Sequence, residues 1–234
     1  MTAEHTAPSI WMRRERAAVG RPARHSRAEI TAVALDIADQ DGLDAVSMRR
    51  VAAELGTGAA SLYRYVSTRE DLLDLMIDAT AGERPLPAPS GDWLADLVAV
   101  AEVLRATLRR HHWLAGLALT RPVIGPNGLA VLEHTLAVLA AHPAGVEAKM
   151  EAFATLNGMT AAFVLNEISG GPALQQRNVA CLQHAVASGD YPRLAALLSQ
   201  VGPAPAGSAE PADRFGDVLA RILIGLLGPA PGPR

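Results

Sequence analysis

Tyr63, Arg64 and Tyr65 form an unbroken run, and Thr68 with Arg69 follows within one helical turn. Phenolic hydroxyls, guanidinium groups and a threonine hydroxyl all donate hydrogen bonds to phosphate oxygens and to base edges. Just before the run, Gly58, Ala59, Ala60 and Ser61 are all small, so a helix beginning there could bring its backbone close to a nucleic-acid groove. Tyr63 and Tyr65 lie at i and i+2 and cannot share one buried helix face, so at least one of them is displayed. Thr68 and Arg69 open a further helix, where free amides and a guanidinium could together hold a phosphate. Arg49 lies ahead of these residues and could reach the same surface, or simply be a solvated arginine.

A second group, His111, His112 and Trp113, stands at a helix end before a turn. These residues could line the mouth of a cavity, or the histidines could be favoured there by the helix dipole. No two histidines are spaced i and i+4 and there is no HExxH, so no metal site and no cofactor are expected. There is also no nucleophile elbow, phosphate-binding glycine loop or paired carboxylates. A small hydrolase using His111 or His112 is therefore the weakest reading, and the chain is not expected to be an enzyme.

The elements that must position these groups read as helices throughout. Half of the 234 residues are apolar, only 4% are aromatic, and alanine is the commonest apolar type, which suits closely packed helices rather than sheets. Ile30, Val33, Ala34, Ile37 and Ala38 form one apolar face, opened by Ser26 with Glu29 as a capping box and closed by Gly42. Ser47 can cap a short helix with Met48, Val51, Ala52 and Leu55 inside, closed by Gly56. A second short helix spans about 58–65. Thr68 with Asp71 opens the next, with Leu72, Leu73, Met76 and Ile77 inward. Two short helices joined by a glycine turn have the proportions of a helix-turn-helix, and the flanking helices supply the core that the pair lacks.

Pro85, Pro87, Pro89, Ser90 and Gly91 divide a front domain, 26–82, from a back domain, 91–228. Residues 1–25 carry Pro8, Pro22 and scattered arginines, and read as a flexible arm. Its arginines could enter a minor groove or form a sequence-blind tail. Residues 1–69 hold 10 arginines against 8 acids, and residues 70–234 hold 11 basic residues against 16 acids. A basic front and an acidic remainder fit a nucleic-acid reader joined to something else. The stretch 202–211 and the tail from Gly228 read as disordered. Cys181 is the sole cysteine, no signal-like segment opens the chain, and Val218 to Gly228 is too short for a span. A cytoplasmic protein without membrane contact is expected.

In the back domain, Met150, Phe153, Asn157, Met159 and Phe163 lie on a helix that is apolar nearly all round, which suits a cavity wall or a subunit interface. Asn157 could orient a ligand or be a satisfied core amide. The last helix carries Phe215, Val218, Leu219, Ile222, Leu223 and Leu226. That stripe could pair with its symmetry mate and the 147–168 helix, or be buried within one subunit.

The stretch from Ser47 through Leu55-Gly56, the Ala60-Ser-Leu-Tyr-Arg-Tyr-Val66 run and Arg69-Glu-Asp-Leu-Leu73 resemble the DNA-binding domain of the TetR family of bacterial repressors. The resemblance implies an all-α fold, with an N-terminal three-helix helix-turn-helix domain and a larger helical ligand-binding and dimerisation domain. It implies a homodimer on an operator duplex, with Arg49 reaching in from the first helix of the pair. Ser61, Tyr63, Arg64 and Tyr65 would contact DNA from the second, and Arg69 would hold the backbone. Ala59 stands where tetracycline repressors carry a base-reading glutamine, so the operator must differ. Asp92-Trp93-Leu, Thr120-Arg121-Pro122 and 162–167 resemble the tetracycline-repressor back domain, implying an effector cavity among the 92–110, 112–120 and 147–168 helices. Val100 and Leu104 occupy positions that hold tetracycline, and an apolar residue near Ala118 replaces the magnesium-binding histidine. The expected effector is therefore a small apolar molecule, held by Val100, Leu104, His111, His112, Trp113, Met150, Phe153 and Asn157. A DNA-binding regulator without effector is the alternative.

Overall fold

In the computed structural model the described residues are 9–13, 25–121, 125–200 and 214–228, and among them every regular element is a helix. Helix α1, Arg27–Asp41, starts where Ser26 accepts from the Glu29 amide while the Glu29 carboxylate accepts from the Ser26 amide. This reciprocal box satisfies two of the donors a helix start leaves open. Its inner residues Ile30, Ala34, Ile37 and Ala38 follow the helical period and are buried. Gly42 ends it at φ 85°, a left-handed conformation that glycine enters without a Cβ penalty.

Helix α2, Met48–Glu54, is capped by Ser47 through the Arg50 amide, and buries Met48, Val51 and Ala52. Gly56, at φ 62°, turns the chain, and the Thr57 amide reaches back to the Ala52 carbonyl at 2.9 Å. Such a bond across the helix end satisfies a carbonyl that would otherwise be orphaned. Helix α3, Ala59–Leu62, is a single turn that continues through bends to Tyr65. Helix α4, Arg69–Ala81, opens with a second capping box, Thr68 with Asp71. The front helices share one core that includes Ile30, Val51, Leu62, Val66, Leu72 and Met76.

The expected free arm is docked at residues 9–13. Ile10–Met12 forms a 3-10 turn, and Ile10, 1% exposed, enters the front core. The Arg27 guanidinium donates to the carbonyls of Ile10 at 3.1 Å and Arg13 at 3.0 Å. Arg13 in turn donates to Ser67 Oγ at 2.8 Å and pairs with Asp71. Burying an isoleucine and satisfying its backbone outweighs the ordering of a short segment. The apolar run Ile10-Trp11-Met12, just ahead of Arg13 and Arg14, was the available signal. Residues 1–8 and 14–24 of the expected arm, with Pro8 and Pro22, lie outside the described residues, as do the 202–211 stretch and the tail beyond Gly228.

The back half comprises α5, Trp93–Arg110; α6, Leu114–Thr120; α7, Pro126–Val138; and α8, Val146–Ser169. It continues with α9, Pro172–Ala187; α10, Pro192–Gln200; and α11, Arg214–Leu227. Helix α8 packs against α5, α6 and α11, and α9 lies along α10. One face of α11 is buried within the subunit, with Phe215, Leu219 and Leu223 fully covered beside Leu97, Val100 and Leu156. Its other face keeps Ile224 exposed, and α8 leaves Met150, Leu165 and Ile168 exposed. The final helix is thus a core element on one side and open on the other.

Ile10→Ala should lower stability by about 2–5 kcal/mol, the usual cost of a large-to-small change at a closed core position. Chemical denaturation should show the loss. A change below a few tenths of a kcal/mol would mean that residues 9–13 are not part of the folded unit.

Candidate nucleic-acid interface

Leu62 and Val66, each 0% exposed, pin the segment that contains α3 onto the front core. Ala59 and Tyr65 pack partly against the same core, so the opposite side carries Ala60, Tyr63 and Arg64. All three are exposed, with Tyr63 at 51%. Of the two tyrosines, Tyr63 is therefore the displayed one and Tyr65 the packed one. Tyr65 holds the fold through its carbonyl, which accepts from Arg27 Nε at 3.1 Å. The Arg64 guanidinium donates to Ser61 Oγ at 3.2 Å, one turn earlier, so the two expected contact residues are positioned together. Arg49 is exposed on α2, whereas its neighbour Arg50 pairs with Asp41.

Two expected backbone-contact residues are engaged inside the protein. Arg69 is half-buried, and donates from Nε to the Val46 carbonyl at 3.2 Å and from Nη2 to the Leu43 carbonyl at 3.2 Å. It thereby ties α4 to the 3-10 turn Leu43–Ala45 between α1 and α2, where the Leu43 carbonyl also accepts from the Val46 amide. The Thr68 hydroxyl accepts from the Asp71 amide at 3.0 Å as the cap of α4. Sequence spacing identified both positions, but the direction of the side chains is set by the fold around them.

The residues expected around an effector do not gather at one place. Val100 is buried in the back core, and Leu104 packs against it where it meets a smaller cluster of Leu108, Leu114, Ala115, Ala161 and Val164. Met159 and Phe163 lie against the same back core. Phe153 and Asn157 are half-buried on α8, and the Asn157 amide donates to the Phe153 carbonyl at 2.8 Å within its own helix. Met150 is 40% exposed, on the outside. A helix apolar on every side gives no sequence signal for which face turns inward.

His111 reaches carboxylates of the front domain, and Trp113 packs against both the front core and the small cluster of Leu108, Ala161 and Val164. His111 is 1% exposed, with Nδ1 at 2.7 Å from Asp39 and Nε2 at 3.0 Å from Glu83. Trp113 Nε1 donates to the same Asp39 at 2.7 Å. His112 is exposed, and with Trp113 it lines a cleft of about 460 Å³ against Asp39, Asp41 and Asp44. Two further contacts join the halves. Arg121 Nε donates to Asp74 at 2.8 Å, and the buried Asp78 accepts from the Gly128 amide at 2.9 Å at the start of α7. A carboxylate at a helix start is favoured by the open amides and the dipole there.

Inside the back half, Arg105 is 3% exposed and its guanidinium lies 4.7 Å over the Phe215 ring. It donates to Glu167 at 2.6 Å, and Arg109 donates to the other Glu167 oxygen at 2.7 Å. Burial raises the Glu167 pKa, but the hydrogen bonds from Arg109 and Arg105 outweigh it and hold the carboxyl below its usual value. Among the described residues no group of three or more His, Cys, Asp or Glu side chains is arranged to hold a metal ion, and no helix is long and apolar enough to cross a membrane.

Residues 30–76 match the family described as bacterial regulatory proteins, tetR family, and residues 85–228 match the tetracyclin repressor-like C-terminal domain. The chain belongs to the TetR family. Among its TetR-family relatives is an HTH-type transcriptional regulator of Saccharopolyspora erythraea, 36% identical, covering 83% of each chain. The HTH-type transcriptional repressor DrrR1 of Streptomyces coeruleorubidus is 35% identical over 88% of this chain and 80% of its own. The crystal structure of apo ActR from Streptomyces coelicolor superposes with a TM-score of 0.76 at 32% identity, covering 89% of this chain and 98% of ActR. ActR in complex with actinorhodin gives a TM-score of 0.73 at 33% identity, covering 87% and 97%.

Replacing Glu167 with glutamine removes a carboxylate that the fold stabilises in its charged form. Because the folded value is depressed, that stability is present above the unfolded carboxylate range, about 4.3, and is lost as the pH falls through the folded value. The thermal midpoints of the wild type and E167Q should therefore differ most near neutral pH and converge in acid. A constant difference across the range would show that the charge is not responsible.

Proposed function

We propose that two copies of this chain bind a near-palindromic operator in the cytoplasm and repress transcription, and that a small apolar effector releases them. The observation that carries this reading is the division of the α3 segment. Leu62 and Val66 are closed into the core while Ala60, Tyr63 and Arg64 face outward, and Arg49 is exposed on α2. One small residue next to an aromatic hydroxyl and two guanidinium groups is a surface suited to a major groove and its phosphates. The front domain is assigned to 26–82, with residues 9–13 docked onto it, and the back domain to 91–228.

Dimerisation is assigned to the open faces of α8 and α11, where Met150, Leu165, Ile168 and Ile224 are exposed apolar side chains. Two helices from each copy would form a four-helix interface. It would set the recognition segments about 34 Å apart, one turn of duplex. The effector is assigned to the region of Val100, Leu104, Met159 and Phe163, which is apolar and is closed by α11. ActR, of the same fold, was crystallised with actinorhodin, which supports an organic effector for this chain also. The effector acts only through its difference in affinity between the DNA-bound and released arrangements.

Selection from a random duplex pool should enrich a sequence with half-sites one helical turn apart, bound by a dimer in light scattering. Arg49→Ala and Tyr63→Ala should each weaken binding to it about 5- to 150-fold with unchanged circular dichroism. Binding should fall steeply with added salt. Failure to enrich any duplex, together with a monomeric mass, would overturn the reading.

A further inference from the structure

We infer that residues 9–13 are a strap that positions the DNA-reading segment against the back domain, with Trp11 as its hold on the start of α7. Three carbonyls meet one guanidinium beside that segment. Arg27, the first residue of α1, donates from Nε to the Tyr65 carbonyl at 3.1 Å. From Nη1 it donates to the carbonyls of Ile10 at 3.1 Å and Arg13 at 3.0 Å. Tyr65 ends the run that carries Tyr63 and Arg64, so the strap and the end of that run are held by the same side chain. Arg13 adds a second tie, donating to Ser67 Oγ at 2.8 Å and pairing with Asp71 of α4. Charge-assisted bonds of this kind are directional, so they fix position as well as contribute energy.

The other side of the strap meets the back domain. Trp11 is half-buried and packs on the front core, and its ring also lies against Gly125, the residue that opens α7. A Cβ at Gly125 would stand 2.7 Å from Trp11 Cζ2 and would collide with the Asp78 carboxylate as well. No side chain fits there, so the indole and the carboxylate close directly on the backbone. Asp78, from α4, accepts at the same point from the amides of Asn127 at 3.3 Å and Gly128 at 2.9 Å. The Asn127 side-chain amide returns a bond to the Asp78 carbonyl at 3.0 Å. Trp11 therefore covers the junction at which α4 satisfies the open amides of α7.

Within the strap the tasks alternate along one 3-10 turn. Ile10 anchors it in the front core, Trp11 touches α7, Met12 is 78% exposed, and Arg13 grips Ser67 and Asp71. The start of α7 and the turn between α3 and α4 are thus joined by side chains two residues apart. Helix α7 also packs on α5, which carries Val100 and Leu104. A displacement of α5 and α7 reaches the end of the recognition segment through Trp11, beside the direct route through α4. The strap's role in DNA reading rests on the function proposed above, whereas its contacts stand independently.

The test uses the full-length protein. In chain labelled with 5-fluorotryptophan, the Trp11 resonance is assigned by its loss in Trp11→Phe, and Gly125→Ala should move it beyond its linewidth. Amide hydrogen exchange then reads both ends of the strap in Trp11→Ala, which leaves Ile10 in place. The amides of Asn127 and Gly128, and those of Tyr65 and Val66, should exchange about 10-fold faster or more, while Ile37 and Ala38 inside α1 keep their wild-type rates. A Trp11 resonance indifferent to Gly125→Ala, exchange that rises equally in α1, or exchange unchanged at either end would overturn the strap. A duplex selected by the wild type should bind Trp11→Ala about 5-fold more weakly or worse. Duplex binding by Trp11→Ala equal to the wild type would overturn the positioning role and leave the DNA reading in place. Enrichment of no duplex, with the exchange pattern as expected, would leave the strap and remove the DNA reading.

Discussion

The burial of Leu62 and Val66 is the constraint on which the outward-facing surface depends. Helix α3 is one turn long, far below the length at which a helix is stable by its own hydrogen bonds. It has no side-chain cap at its start. What fixes it is the closure of two apolar side chains against α1, α2 and α4, whose own ends are capped by Ser26, Ser47 and Thr68. With the inner side fixed, Ala60, Tyr63 and Arg64 project outward as a geometric consequence.

The back half is built by a different means. Its core helices α5 and α8 are longer than any in the front half, and that core is supplemented by a buried guanidinium that ties α5 to α8 through Glu167 and lies over Phe215 of α11. A partly buried ion pair adds little to net stability, but it discriminates among ways of stacking apolar helices that would otherwise pack in several registers. This matters in a domain rich in alanine, where small side chains give neighbouring helices few features to interlock. The polar contacts between the halves work in the same manner, because they join named polar groups on one element to specific partners on another.

Local signals made the front domain legible. The capping boxes Ser26-Glu29 and Thr68-Asp71, the positive-φ glycines Gly42 and Gly56, and the apolar period of α1 and α4 all act within a few residues. Each appears in the structure where the sequence places it. Contacts between distant residues were not legible. Asp39 and His111 are 72 positions apart, and nothing near either one names the other. Arg69 reads as a phosphate ligand from its place at a helix start, yet its guanidinium turns inward and donates to the carbonyls of Leu43 and Val46. On α8 the apolar residues surround the helix, so Val164 and Met150 look equivalent in sequence and differ only in what packs beside them.

The division of labour within residues 58–66 has a consequence for descent with change. Support comes from Leu62 and Val66, while Ala60, Tyr63 and Arg64, the side chains proposed for recognition, are exposed. Substitutions at the outer positions leave the hydrophobic anchor intact, so lineages can drift from one target site to another without passing through an unfolded form. A scaffold of this kind diversifies its vocabulary while its grammar stays fixed.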